Sequence, residues 1–177
     1  MRKRVDTFQY VVETNKLMRK DGIFLVADGK DKKPNTMTIG WGFLGTMWRR
    51  PVFVVAVRHS RYTFKLLNMS DSFTVCLPAM GMREELAECG SKSGRDIDKF
   101  KEYNLQAVIG NTVDAPYIKE CPVHFECKII FKIDLEPGVL PKEIEEEVYP
   151  DKNMHMLYYG EIMGVYAEED ADRNLME

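Results

Sequence analysis

The residues RHSRYT, positions 58–63, follow directly on PVFVVAV, a run so apolar and β-branched that it predicts a buried strand. They set two arginines, a histidine, a serine and a threonine where a strand gives way to a helix. Such a junction exposes unpaired backbone N–H groups and the positive end of the helix dipole. Arg58, Ser60, Arg61 and Thr63 add charge-assisted and hydroxyl donors, a set that suits a phosphate. The plainer alternative is that Ser60 caps the helix and the arginines are solvated.

A second stretch, CGSKSGRDIDKF at 89–100, joins the small residues Cys89, Gly90, Ser91 and Ser93 to the charges of Lys92, Arg95 and Lys99. Glycine and serine permit close backbone approach to a ligand. The GxxxxGK[ST] spacing of a Walker A loop is absent. Read alone, the stretch is more simply a helix ending on Gly90 followed by a polar loop. Two basic, hydroxyl-rich segments nevertheless fit one ligand better than either does alone. A third stretch, NTMTIGWG, places Asn35, Thr36, Met37 and Thr38 beside an aromatic residue. A flat heteroaromatic ligand needs an apolar face with donors and acceptors along one edge. The alternative is a strand whose threonines face water and whose Trp41 packs in the core.

Other chemistry is less supported. His59, His124 and His155 show neither HxH nor HExxH spacing, so no metal site is expected. The four cysteines form no CxxC pair and are expected as free thiols in a reducing compartment. A Cys–His nucleophile pair stays open, because such partners meet only in space. The eleven methionines suit core packing, and EIEEE suits a solvated face.

The elements that must position these groups are mostly strands. GIFLVAD, PVFVVAV, SFTVCLP, HFECKIIFKIDL and HMLYYGEIMGVYAE all read as strands, and NTMTIGWGFLGTMW reads as one bent or bulged at its glycines. Helices are predicted over SRYTFKLLNMS, with Ser60 as its cap, and over MREELAECG, stopped by Gly90. LPKEIEEEVYPDKN, bracketed by Pro141 and Pro150, reads as an acidic surface excursion with a short helix. Many strands, few helices and short connections point to a β-barrel or sandwich with helical insertions.

Composition sets the outer bounds. A chain of 177 residues is expected to form one domain, and 45% hydrophobic with 30% charged residues suits a soluble globular protein. A net charge of −3 argues against a nucleic-acid binder. No apolar run reaches the roughly 18 residues of a membrane span. Asp6, Gln9 and Glu13 interrupt any signal-peptide core, so a cytoplasmic location is expected.

In this order, NTMTIGWGFLGTMWRRPVFVVAVRHSRYTFKLL, FTVCLP and ELAECGSKSGRDIDKF resemble the FMN-binding split-barrel family of flavin reductase-like proteins, which includes flavoredoxin and ferric reductase-like members. The likeness runs over 20–165 in outline, with the specific motifs within 35–100. It implies a mainly β fold, a six-stranded antiparallel split β-barrel of Greek-key type with short helical insertions. It also implies a homodimer with FMN near the subunit interface. By the same resemblance, Arg58, Ser60, Arg61 and Thr63 grip the FMN phosphate, while Asn35, Thr36, Met37 and Thr38 lie along the isoalloxazine ring. Cys89, Gly90, Ser91, Lys92 and Ser93 then come near the ribityl chain or ring edge, and Lys99 supplies a further charge. The implied chemistry is electron transfer from NADH, NADPH or a protein donor to bound flavin, and on to a flavin, ferric or protein acceptor. A flavin carrier or sensor without turnover is the alternative. Family members that supply flavin to monooxygenases often carry Gly-Asp-His on the last strand, with its histidine near the nicotinamide. Here YYGEIMGVY puts Glu161 after Gly160, a departure that counts against nucleotide use. The acidic residues 143–147 are a candidate lid over the flavin.

Overall fold

The computed structural model describes residues 1–28 and 33–176. In chain order the elements are β1 (Arg2–Arg4), α1 (Val11–Lys20), β2 (Ile23–Asp28), β3 (Pro34–Ile39), β4 (Gly42–Met47) and β5 (Arg50–Arg58). Then come α2 (Tyr62–Met69), β6 (Ser72–Leu77), α3 (Arg83–Ser91), α4 (Lys99–Glu102), β7 (Ala107–Ile109) and β8 (Pro116–Ile118). The chain continues through β9 (Val123–Asp134), α5 (Lys142–Val148), β10 (His155–Glu168) and α6 (Ala171–Asn174).

Antiparallel pairing gives the strand order β3-β2-β6-β9-β10-β5-β4, with β1 on β10, while β7 and β8 form a separate ribbon. The run from β3 to β5 supplies the six strands of the split barrel, and β4 extends it as an edge. Ala56 N–H donates to Trp41 O over 3.1 Å, bringing the chain just past β3 onto β5. Every residue of β2 and β6 is buried, including the polar Asp28 that ends β2 and Ser72 and Thr74 of the alternating β6 sequence. β10 holds β1, β5 and β9 together, with register shifts near Gly160 and Gly164. A Cβ at Gly160 would lie 2.6 Å from the Phe73 ring and 2.7 Å from Cys127 Cβ, so only glycine lets the strand pass there.

Several local expectations are corrected. The glycine-rich stretch is not one bent strand: it breaks at Gly40–Trp41 into β3, which pairs with β2, and β4, which pairs with β5. A Cβ at Gly42 would sit 2.3 Å from Val54 O, and this close approach sets where β4 begins. Ser60 does not cap α2. The N-cap is Arg61, and no side chain bonds to the helix start. Gly90 does not end α3 either, which continues to Ser91; its missing side chain lets the helix press on Thr38, whose Cβ would be 3.1 Å from an added Cβ. Thr36 is buried and Trp41 is 46% exposed, the reverse of the plainer reading of that strand. Helix α1, not among the predicted helices, turns Thr14, Leu17 and Met18 inward. None of the described helices is long and apolar enough to cross a membrane.

At the far end of β9 a buried polar network fastens the N-terminus. An Arg guanidinium can only donate, so Arg2 Nη1, 3.1 Å from His124 Nδ1, fixes the proton on Nε2. That Nε2–H donates to Glu126 over 3.1 Å. The Glu126 carboxylate also accepts from the backbone and side chain of Asn111 and of Thr112 at 2.6–3.0 Å. Burial opposes the charge, but the donors from His124, Thr112 and Asn111 outweigh it and hold the acid down at about 2. Because this pKa is depressed on folding, its contribution is full above the ordinary carboxyl range and is lost as pH falls through about 2. Denaturant titrations should therefore show wild type losing on the order of 3 kcal/mol from this group in acid. Glu126→Gln should start less stable near neutrality and lack that component. Parallel acid losses in the two proteins would contradict the account.

Candidate functional site

The end of β5, the start of α2, the middle of β3 and the end of α3 converge. Two adjoining cavities lie there, both lined by Met37 and Arg61.

The smaller, of about 110 Å³, is bounded by Ser60, Arg61, Tyr62 and Thr63 on one side and by the loop 91–95 on the other. α2 has no capping side chain; Phe64 N–H turns back to Arg61 O at 3.2 Å, and the N–H groups of Tyr62 and Thr63 at the helix start are left to face the cradle. Two hydroxyls are oriented alongside. Asn35 Nδ2 donates to Thr63 Oγ1 over 2.9 Å, and Asn153 Nδ2 donates to Ser60 Oγ over 2.8 Å. Each oxygen is thus an acceptor toward an amide, which frees its own proton to be given elsewhere. Across the cavity Arg95 donates to Ser60 O at 3.1 Å and lies 5.7 Å from the Tyr62 ring centroid. A Cβ at Gly94 would meet Asn35 Oδ1 at 2.1 Å and Tyr62 Cδ1 at 2.8 Å, so the loop can close down only with glycine there.

Behind this cradle stands Lys99, 3% exposed, whose Nζ donates to Thr36 O at 2.9 Å and Cys89 O at 2.6 Å. Burial, aided by the Arg61 charge, pushes the ammonium down to about 8. Arg61 Nη1 takes the next carbonyl, Gly90 O, at 3.0 Å. Two cations therefore hold consecutive carbonyls at the negative end of α3 and tie that helix to β3 and α2. The Cys89 thiol is buried and burial pushes it up to about 11, so it is a neutral packing group.

The second cavity, of about 170 Å³, is lined by Met37, Thr38, Gly40, Trp41, Ala56, Arg58 and His155 among others. β5–β10 pairing sets Arg58 directly opposite His155. Arg58 donates to Val148 O at 3.0 Å and Asn153 O at 3.1 Å, with its guanidinium 5.2 Å from the Tyr149 ring and 5.9 Å from the Trp41 ring. His155 lies 4.8 Å from the Trp41 ring, and its Nδ1 is bonded to Tyr149 O–H at 2.8 Å, leaving Nε2 for the cavity. Burial first, then Arg58, Arg61 and His59, push this imidazole down to about 4, so it is neutral near pH 7.

The candidates thus separate. Met37, Thr38, Arg58, Ser60, Arg61, Thr63, Ser91, Lys92 and Ser93 line the cavities. Asn35, Thr36, Cys89, Gly90 and Lys99 stand behind them and act through hydroxyls, carbonyls and close packing. Arg58 borders the aromatic cavity and not the hydroxyl-lined one. Trp41, Tyr62, Gly94, Arg95 and His155 were not among the predicted site residues. The last strand does carry a histidine at the site, at its first residue, whereas Glu161 pairs with Arg50 outside both cavities. Helix α5 buries none of its residues and lines neither cavity, so the acidic stretch is a solvated face. A larger hollow of about 1120 Å³ lies between α1 and the C-terminal segment. Its rim mixes Glu13 and Asp172 with Lys16, Arg19 and Arg173, and it lacks the converging donors of the smaller pair.

Known proteins share this fold. The flavin reductase like domain matches residues 19–176. A curated but uncharacterized protein of Archaeoglobus fulgidus is 30% identical over 142 residues, which are 80% of this chain and 70% of that protein. Flavoredoxin of Desulfovibrio vulgaris superposes with a TM-score of 0.69 at 26% identity, covering 88% of this chain and 75% of its own. Flavoredoxin of Methanosarcina acetivorans gives a TM-score of 0.65 at 28% identity, over 84% and 69%. With a domain match from residue 19 to residue 176 and a split barrel to go with it, this chain belongs to the flavin reductase-like family.

Proposed function

We propose that the protein is an FMN-dependent oxidoreductase whose two cavities hold one flavin, the phosphate among Ser60, Arg61, Thr63 and the 91–95 loop and the ring between β3, Trp41 and His155. The observation that carries this reading is the abutment of a donor-rich cradle on an aromatic cavity, with Arg61 and Met37 common to both. The fit is specific in its chemistry. Thr63 and Ser60 have protons to give, Arg61 and Arg95 bring charge, and Gly94 makes room where a side chain would not fit. When bound, FMN supplies two-electron chemistry, accepting a hydride from NADH or NADPH and passing electrons to a second acceptor. The chain's own part is to bind and orient. Arg61 and the start of α2 neutralise phosphate, Met37 and Trp41 flank the ring, and neutral His155 offers Nε2 at the open side. A histidine on the same last strand, His155, supports nucleotide use although Glu161 follows Gly160. Four buried free thiols suit a reducing compartment such as the cytoplasm.

Reconstitution with FMN followed by anaerobic titration tests this reading. Flavin absorbance should appear with the protein and bleach on addition of NADH or NADPH. Bands that persist with both nucleotides would overturn nucleotide-driven turnover and leave a protein donor or a carrier role.

The flavin site is further proposed to be completed by a second copy of this chain. Cavities of 170 and 110 Å³ fall short of the ~300–1,000 Å³ that encloses a ligand, so more cover is needed. Beside them β4 is an edge with no further strand on it among the described residues; its Phe43 and Met47 and the following Trp48 are exposed, as are Phe131 and Ile133 nearby. Trp48 and Arg49 turn the β4–β5 hairpin with φ of 53° and 61°, a strained conformation that lays the indole 5.9 Å from Phe131 and 6.1 Å from Tyr159. Sedimentation equilibrium should give twice the 20.5 kDa chain mass, and Trp48→Asp should weaken association at least ~10-fold. A wild type that is monomeric at micromolar concentration would remove the dimer.

A further inference from the structure

Asn153 borders neither cavity, yet its carboxamide is bonded to a residue that does. It closes the excursion between β9 and β10, two residues ahead of His155. Both polar atoms of the side chain meet Ser60. Oδ1 accepts the Ser60 backbone N–H over 3.4 Å, and Nδ2 lies 2.8 Å from Ser60 Oγ. Hydrogen-bond chemistry fixes which end goes where. A backbone N–H can only donate, so it selects the amide oxygen and turns the NH2 group toward the hydroxyl. That NH2 can only donate as well, so Ser60 Oγ accepts there and its own proton points away from Asn153. The proton is left for the hydroxyl-lined cavity that Ser60 borders.

The carboxamide works from a fixed base. Asn153 N–H donates to Asp151 Oδ1 over 3.1 Å, and Asn153 O accepts from Arg58 over 3.1 Å. The next carbonyl, Met154 O, accepts the His59 N–H over 3.3 Å. Residues 153–154 are thereby stitched to 58–59, which run directly into Ser60. Thr63, the other hydroxyl of the cradle, is set in the same manner by Asn35. Asn35, however, is buried in β3 and also meets Gly94, so a change there disturbs the 91–95 loop as well. Among the described residues, the hydrogen bonds of the Asn153 side chain both go to Ser60, so its effect on that hydroxyl is separable.

Resting on the flavin reading above, we propose that Asn153 is a positioning residue that acts through Ser60 to make the site prefer FMN over riboflavin. With the amide in place, the Ser60 hydroxyl is a donor already aimed at an anion. Without it, the hydroxyl turns freely, and ordering it opposes phosphate binding. An aspartate at 153 reverses the polarity while keeping the shape. Both carboxylate oxygens accept, so the Ser60 proton is drawn to residue 153 and a lone pair of Oγ faces the phosphate. Riboflavin, which has no phosphate, is indifferent to the direction of that proton.

Equilibrium binding of FMN and of riboflavin to the full-length apoprotein and its variants tests this. Asn153→Ala should weaken FMN roughly 10-fold and leave riboflavin within about 2-fold, and Asn153→Asp should weaken FMN further. In a Ser60→Ala background, Asn153→Ala should change FMN affinity by less than about 2-fold, because the hydroxyl it acts through is gone. Retained riboflavin binding reports that a variant is folded. The nearly isosteric Asn153→Asp decides the matter if Asn153→Ala does not fold. Equal losses for FMN and riboflavin in Asn153→Asp, unchanged FMN affinity in both variants, or the same FMN loss with and without the Ser60 oxygen would each overturn the proposal. A wild type that binds the two flavins equally fails differently, since it removes the phosphate reading itself and this role with it.

Discussion

One buried ammonium holds the candidate site in shape. Lys99 comes from a four-residue helix and is the charge on which β3 and α3 both close, through Thr36 O and Cys89 O. Its desolvation is unfavourable, as its lowered pKa records, and only two good acceptors at a helix C-terminus make that position tolerable. With Arg61 on the following carbonyl, the end of α3 cannot swing away, and the 91–95 loop must leave in the direction that makes the cradle. Lys99 is therefore a positioning residue. The groups that would face a ligand are hydroxyls, first-turn amides and Arg61.

The neighbouring arginines show how identical side chains diverge by place. Arg61 sits at the N-cap of α2 with both cavities before it, whereas Arg58, at the end of β5, is spent on the carbonyls of Val148 and Asn153. The result is a fixed aromatic rim: the acidic excursion is pinned at its downstream end, Tyr149 is bonded to His155, and Trp41 lies against them. A neutral histidine in a positively charged rim is what burial among arginines enforces. On the reading proposed above, that rim meets the second substrate, and the cradle meets the phosphate.

Much of this was legible in the sequence where one signal dominated. The apolar runs of β2 and β5 could be little else than buried strands, the alternation of SFTVCL marked β6 as a strand, and the donors of RHSRYT stood at a strand–helix junction as their chemistry suggested. What escaped depended on contacts between distant residues. No spacing rule pairs Asn153 with Ser60 or puts His155 opposite Arg58; register does that. Gly90 resembles a helix stop in sequence, but the approach of Thr38 gives it a packing role. Helix α1 is the exception: Thr14, Leu17 and Met18 fall at i, i+3 and i+4 on its buried face, a local pattern that was present in the sequence.

The central claim is that residues 60–63 and 91–95 recognise a phosphate and that the adjoining cavity holds the ring. Comparing equilibrium binding of FMN and riboflavin to the apoprotein tests it most directly. Loss of two or three charge-assisted hydrogen bonds should make riboflavin at least ~100-fold weaker than FMN. Equal affinity for the two, or binding of neither, would contradict the account.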